Sequence, residues 1–465
     1  MRTLLSPARW VLIAMAAICL YLIAFPPDAL SSNQLTTLIV LILTLALWAT
    51  SSLPEYQTSL LFFVFALLFE IATPIEVFSG FASGALWLVF AGMVIGMAIS
   101  LSGLSDRLAF WLSQHINHSY PVLISGLVII GTTLGFVMPS SIGRLVMMIP
   151  IGLSLAKSCG FSEGSQGRSG IIMAIIFSCH LPTYTILPSN IPNMVMAGSA
   201  ETIYGMHFSY TDYLLLHFPI LGLLKAIIIA ALVIKLFPAV TQPHASTARF
   251  EQPKALIQRQ KRISVVLVLS LIFWLTDTWH GINPAWVGLA AATWLLLPKV
   301  GIVDSATFNQ QMNVSLLIYI AGVLALGALV NNSGLGKWLA EGIETLLPLA
   351  PDQNLTNFLS LSGLAFLTGM FATLPGVPAV LTPLAGDLAE QTQLSVQAVI
   401  MTQVIGFSTI LFPYQSGPLI VGMQLAKEPL MKLMKVTIPL TLITWLVLIP
   451  LDYLWWELLG LFNAS

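Results

Sequence analysis

The sequence predicts an all-α polytopic membrane protein with about eleven transmembrane helices and two re-entrant hairpins, arranged as two inverted repeats. Three observations predict it. The 465-residue chain is 57% hydrophobic and only 8% charged, with a mean hydropathy of +0.91, far beyond what a soluble core requires. Apolar runs close to the roughly 20 residues that span a bilayer recur along its whole length. Finally, "FAGMVIGMAISLSGLSDRLAFWL" (90–112) returns as "IAGVLALGALVNNSGLGKWLAEGI" (320–343) with one extra residue, which is an internal repeat.

In chain order, crossings lie near 10–25, 34–50, 58–72, 83–102, 169–200, 210–237, 263–280, 284–297, 313–331, 396–425 and 436–456. The first follows Arg2 and Arg9 without a convincing small-residue cleavage site, so it reads as a retained helix opening a unit 1–33. Two further apolar segments, 121–157 and 354–391, each divide into arms of 12–16 residues around a polar, Gly/Pro-rich centre. Arms of that length span poorly, and non-helical backbone at membrane depth is tolerated only within protein or beside a watery cavity. Both segments therefore read as re-entrant hairpins whose tips face something polar.

The polar stretch 238–262 carries prolines and five basic residues from Arg249 to Arg262, and reads as a linker between a first repeat, 34–237, and a second, 263–465. In each half a Pro-interrupted helix follows the hairpin: "LPTYTILPSNIPNMVMAG" (181–198) and "STILFPYQSGPLIVGMQ" (408–424). Each repeat holds five crossings and one hairpin, and an odd number inverts the second copy. Charge agrees: Arg2, Arg9, Lys157, Arg168, the linker, Lys299, Lys427, Lys432 and Lys435 fall on one side, whereas Glu341, Glu344 and Asp352 surround a lone Lys337 on the other. By the positive-inside rule the N-terminus and linker are cytoplasmic and the C-terminus periplasmic, in a bacterial-type inner membrane.

Inverted repeats with broken helices at matching positions are the pattern of secondary transporters, whose substrate sits near the midplane between helix starts. Helix starts carry partial positive charge and bind anions. Arg144 stands four residues past Ser140 at the first hairpin break, where a charge requires a cavity or a partner. Beside serine hydroxyls it suits a carboxylate or sulfate; the alternative is that it caps a backbone carbonyl or pairs with an internal carboxylate.

Ten residues before Pro150 stand Ser140, Ser141 and Ile142, and ten before Pro383 stand Thr373, Leu374 and Pro375; the broken helices carry Asn190-Ile191-Pro192-Asn193 and Pro413-Tyr414-Gln415-Ser416. In order of elements from about residue 34 to 450, and at these positions, the chain resembles the divalent anion:sodium symporter family of the ion transporter superfamily. Members carry Ser-Asn-Thr at both tips, and this chain has neither asparagine. The resemblance implies an elevator-type movement, a homodimer, and a small anionic substrate held by Ser140, Ser141, Gly143, Arg144, Asn190, Asn193, Thr373, Gly376, Gln415 and Ser416. It also implies Na+ near Ser140, Ser141, Thr373 and Gly376. Without the two amide oxygens the coupling ion stays open between Na+ and H+, with exchange of one anion for another a further mode. No other cofactor is expected.

Other residues carry simpler readings. Lys225, mid-segment, pairs with a carboxylate, lines the path or holds the scaffold; His180 either relays protons or is a hydrogen-bonded structural histidine. The segment 105–118, with His115 and His118, reads as lying along the interface. Glu55, Glu70 and Asp277 sit near helix ends and read as solvated. Trp445, Trp455 and Trp456 suit an aromatic belt, and "GSQGRSG" (164–170) reads as a turn rather than a phosphate loop. Cys19, Cys159 and Cys179 lack paired spacing. With a net charge of -1 and dispersed basic residues, nucleic-acid binding is excluded. A cation/proton antiporter of the same superfamily would want buried carboxylates at the tips, which are absent. A membrane-embedded enzyme would want a His-Glu-x-x-His or Gly-x-Ser-x-Gly motif, also absent.

Overall fold

The computed structural model describes residues 7–50, 52–104, 107, 119–241, 253–371 and 374–462. Thr373, His115, His118, nearly all of 105–118 and most of the linker lie outside the described residues. Every regular element among those described is helical. The first half comprises α1 (Pro7–Ala24), α2 (Ser32–Thr50), α3 (Glu55–Leu68), α4 (Gly84–Ser102), α5 (Tyr120–Val137), α6 (Ser141–Ser158), α7 (Gln166–Ser178), α8 (Ile191–Tyr204) and α9 (Tyr210–Leu236), the last with a π-helical turn at Phe218–Leu224. The second half comprises α10 (Lys254–Leu275), α11 (Pro284–Leu296), α12 (Val314–Asn332), α13 (Leu335–Glu344), α14 (Asn354–Phe371), α15 (Gly376–Leu381), α16 (Ala385–Thr392), α17 (Val396–Phe407), α18 (Gly417–Ala426) and α19 (Met431–Leu458), with its π-helical turn at Thr444–Leu448.

Local chemistry sets these boundaries. Helix starts leave backbone N–H groups without partners, and serines fill that need repeatedly. Ser83, Ser140, Ser165, Ser209 and Ser395 cap α4, α6, α7, α9 and α17 through their side chains, each worth about 1 kcal/mol. The repeated Ser-Gly-Leu ends matching helices: Gly103 after α4 and Gly334 after α12 take φ of 65° and 72°, a left-handed conformation that glycine adopts without Cβ strain.

Two packing groups result. In one, α4 lies along α11 and α3 along α12; in the other, α7 lies between α5 and α6, α6 packs on α18, and α14 on α17. Helix α8 touches α4 and α12 of the first group and α15 near the second break. Close approach has a steric basis at Gly406 of α17, where an added Cβ would lie 2.3 Å from the Ala365 Cβ and 2.5 Å from the Ala365 backbone carbon of α14.

Six helices, α2, α4, α5, α9, α12 and α19, are long and apolar enough to cross a membrane among the described residues, and shorter apolar helices, among them α3, α11, α17 and α18, accompany them. The arms of segment 121–157 are 18 residues each, as is α14, longer than the 12–16 expected. The reason is local: Ser140 caps α6 immediately, so Ser141 to Arg144 belong to its first turn instead of a polar loop. Likewise Gln166 to Gly170 form the first turn of α7, with Ser165 as cap, where a turn alone was expected.

Two further readings are corrected. Asp277 is buried, not solvated: its carboxylate accepts the Tyr210 N–H at 2.5 Å and the Ser209 hydroxyl at 3.1 Å, serving the open donors at the start of α9. Trp456 is fully buried against Phe358 and His217 rather than belted at an interface, because its face of α19 points into the bundle. Lys225 is buried and reaches the Ser408 carbonyl and hydroxyl, the contacts of a side chain that holds the scaffold. Glu55 and Glu70 are exposed as expected, and Cys19, Cys159 and Cys179 are buried and not joined in disulfides.

Candidate functional site

Three helix starts converge on one histidine. Ser141 opens α6, Asn190 precedes α8 and Ser416 precedes α18. The Ser141 hydroxyl donates to Asn190 Oδ1. His180, in the unwound stretch after α7, places Nδ1 3.1 Å from Ser141 Oγ and Nε2 2.7 Å from Ser416 Oγ and 3.1 Å from the Tyr184 hydroxyl. With Ser141 already donating to Asn190, the imidazole satisfies all its neighbours when Nδ1 donates and Nε2 accepts. His180 thus ties the first-half break at 138–140 to the second-half break at 408–416.

Arg144 lies beneath, with no solvent exposure. Its Nε donates to the Cys179 carbonyl at 2.9 Å, Nη1 to the Met138 carbonyl and, at 3.4 Å, to that of Ser189, and Nη2 to Ser141 Oγ at 3.0 Å and Thr183 Oγ1 at 2.8 Å. These acceptors are neutral. Among the described residues no acidic side chain pairs with Arg144, so its charge is fixed and uncompensated. The carbonyls it holds end α5 and α7, where a cation complements the helix dipole.

The other expected residues are distributed around this junction. Ser140 and Gly143 are half-buried at the tip, the Ser140 hydroxyl accepting the Gly143 N–H at 3.1 Å. Asn193 is turned away, donating to the Tyr184 and Ile186 carbonyls at 2.9 and 3.0 Å, where it shapes the unwound stretch. Gln415 accepts the Leu411 and Phe412 N–H groups and donates to the Gly369 carbonyl at 2.9 Å, joining the second broken helix to α14. Gly376 is buried as the first residue of α15. The junction therefore gathers Ser141, Arg144, Asn190 and Ser416, with Ser140 and Gly143 at its rim; Asn193 and Gln415 brace the backbone. Sequence reasoning gave His180 no place among the site residues and missed Thr183, Tyr184 and Ser189. Adjacency to the break was the one available signal.

Ser140 and Ser141, two of the residues expected near Na+, bring hydroxyl oxygens to the first break. The guanidinium 3.0 Å from Ser141 Oγ opposes a cation there. Among the described residues no group of three or more His, Cys, Asp or Glu could hold a metal ion.

The profile of the sodium:sulfate symporter transmembrane region matches residues 7–462. The chain belongs to this family. A protein of Cupriavidus necator named only "Membrane protein" is 24% identical, with 97% of this chain and 93% of that protein covered. The L-tartrate/succinate antiporter of Escherichia coli (strain K12) is 25% identical over 73% of this chain and 72% of its own length. The crystal structure of the Alcanivorax borkumensis YdaH transporter shares the fold, with a TM-score of 0.59 at 14% identity, covering 92% of this chain and 99% of that one. The family is one of membrane transporters, not enzymes, and its members act on anions.

Proposed function

We propose that this family member is a secondary active transporter for a small dianion, a dicarboxylate such as succinate or tartrate, or sulfate, working by alternating access of the elevator type. One observation carries the reading: the starts of α6, α8 and α18 meet above a buried arginine that has no counter-charge among the described residues. Helix-start dipoles and an uncompensated guanidinium add to one positive field, and a bound anion is the species that completes it. Half-buried Ser140 and Gly143 and exposed Gly417 form the rim where the anion arrives, with Arg144 one layer behind.

The matching succession of elements in the two halves, α4 to α9 and α12 to α19, supports inverted repeats with the segments 121–157 and 354–391 as paired re-entrant hairpins. Units 1–33, 34–237, 238–262 and 263–465, a homodimer in a bacterial-type inner membrane, and a cytoplasmic N-terminus and linker with a periplasmic C-terminus belong to the same reading. A cation/proton antiporter is the weaker reading, since the junction presents an arginine where that activity would want a carboxylate. Purified protein in liposomes preloaded with unlabelled succinate, tartrate or sulfate is expected to take up the same labelled anion by exchange. No exchange of any of the three, with or without Na+ or pH gradients, would refute the proposal.

A further inference from the structure

The two halves hold their unwound helices in matching ways. Beyond α7 the Cys179 carbonyl is held by Arg144; beyond α17 the Ser408 carbonyl is held by Lys225, whose Nζ lies 3.2 Å from that oxygen and 3.4 Å from Ser408 Oγ. Each cation complements a helix C-terminus. They differ in one respect. Arginine keeps its charge, whereas a lysine can exchange its proton; α9 packs on α19 where the turn 218–224 before Lys225 meets the segment 449–458 that carries Asp452, while among the described residues Arg144 has no carboxylate partner.

Asp452, on α19, is fully buried, and neither of its carboxylate oxygens has a hydrogen-bond partner among the described residues. It forms no direct ion pair with Lys225. A charge so placed is costly, and intramembrane acids of this kind mark proton routes. The surroundings are polar in kind: buried His217 Nδ1 and Trp456 Nε1 are likewise unpartnered, with their rings 5.8 Å apart, and Trp456 stands one turn after Asp452. Both helices carry a π-helical turn just before the charge, at 218–224 before Lys225 and at 444–448 before Asp452, a rare geometry that gathers at functional sites. The elements packed against this part of α19 bring few other titratable groups. Segment 210–217 of α9 carries His217, Tyr213, Tyr210 and exposed Asp212; α14 and the two π-helical turns carry none; on α19 itself Tyr453 and exposed Glu457 remain.

We infer that Asp452 and Lys225 form a proton-binding site coupled to the anion site, an inference that rests on the anion-transport reading. The Asp452 carboxylate binds one H+ from water on one side of the membrane and becomes the neutral acid, and the proton leaves to water on the other side. Proton binding takes the pair from net zero to one positive charge and leaves the Lys225 ammonium held by Ser408 alone, at the head of the unwound stretch that ends in Ser416. Added positive charge favours the anion, and by reciprocity the bound anion favours the proton. The result is proton–anion symport.

The test uses the full chain in liposomes with labelled succinate. Exchange against internal succinate reports transport as such. Accumulation under an inward gradient of one pH unit reports coupling, and one proton supports roughly tenfold accumulation. Wild type is expected to do both; Asp452→Asn is expected to keep exchange but lose accumulation, and Asp452→Glu to restore it in part. Accumulation by Asp452→Asn within about twofold of wild type overturns the inference, whereas absence of wild-type exchange overturns the transport reading instead. Should Asp452→Asn not fold, wild-type protein in weakly buffered detergent solution decides. Proton uptake on adding succinate supports the site, and no uptake overturns it.

Discussion

Replacing Arg144 with glutamine separates its two roles, holding backbone carbonyls and attracting the anion. Hydrogen bonds from a charged donor contribute about 1.5–3 kcal/mol each. Three buried carbonyls, of Met138, Cys179 and Ser189, lose such a donor, a loss of roughly 4–9 kcal/mol. Opposing it, a guanidinium without a counter-ion no longer has to be buried, which returns several kcal/mol. The two nearly offset, so the stability of ligand-free protein discriminates poorly. Ligand binding discriminates well. For an anion at an assumed separation of roughly 8 Å from the guanidinium, the Coulomb energy at an effective dielectric near 20 is about 2 kcal/mol per anionic charge. A dianion therefore loses about 4 kcal/mol, roughly a thousandfold in affinity.

The assay is thermal unfolding of detergent-solubilised protein with succinate or sulfate, since ligand at about 100 times its Kd adds about 2.7 kcal/mol of apparent stability. Wild type is expected to shift upward and Arg144→Gln to show no shift. Arg144→Lys keeps the charge and loses the planar fork, so it is expected to retain part of the shift. A full wild-type shift in Arg144→Gln would mean that this arginine only holds the carbonyls, and the anion site would have to lie elsewhere.

Two other substitutions test the packing that positions the site. Gly406→Ala forces a methyl against the Ala365 and Phe366 backbone of α14. Overpacking against atoms that cannot rotate away costs about 3 kcal/mol, offset by about 1 kcal/mol of helix propensity. Chemical or thermal unfolding should therefore show a net loss of about 2 kcal/mol, whereas Gly363→Ala, which meets only Trp445 at 3.6 Å, should be neutral or stabilising. At the far end of α7 and α18, Glu428 binds Arg168 at 2.5 Å and Lys432 at 2.7 Å with the Ser169 hydroxyl at 3.2 Å. Glu428→Gln leaves these cations without their acid and should cost about 3 kcal/mol; unchanged unfolding would show that the network contributes nothing.

Much of the architecture was legible because it is written in local signals. The Ser-Gly-Leu pair marked two helix ends, and in the structure each glycine takes the left-handed conformation that ends its helix. Pro182, Pro188 and Pro192 marked one unwound stretch and Pro413 and Pro418 the other. The Arg144 position was also legible, since a charge and a helix start inside apolar sequence stand out. What escaped were pairings across the chain. Asp452 sits among apolar residues with no local signal of its significance, and its relation to Lys225 exists only once α9 and α19 pack together. Asp277 and Trp456 were misplaced for a related reason: periodicity gives a helix but not the side of it that the bundle covers. His180 tells the same story, because its partners Ser141 and Ser416 come from both halves.

The buried cations also bear on why the asparagines of the family's tip motif can be absent. Each break in a helix exposes two opposite partial charges, carbonyls where one helix stops and N–H groups where the next begins. A sodium site uses the carbonyl side. Here the carbonyls of Met138, Cys179 and Ser408 are already held by Arg144 and Lys225, so the negative ends are screened and the positive ends of α6, α8 and α18 are left to act. The same two side chains that stabilise the unwound backbone thereby bias the junction toward an anion and away from a hard cation. On the proposed reading a coupling ion acts at a distance from the breaks, and among the described residues the pair inferred above, Lys225 and Asp452, lies behind the second break.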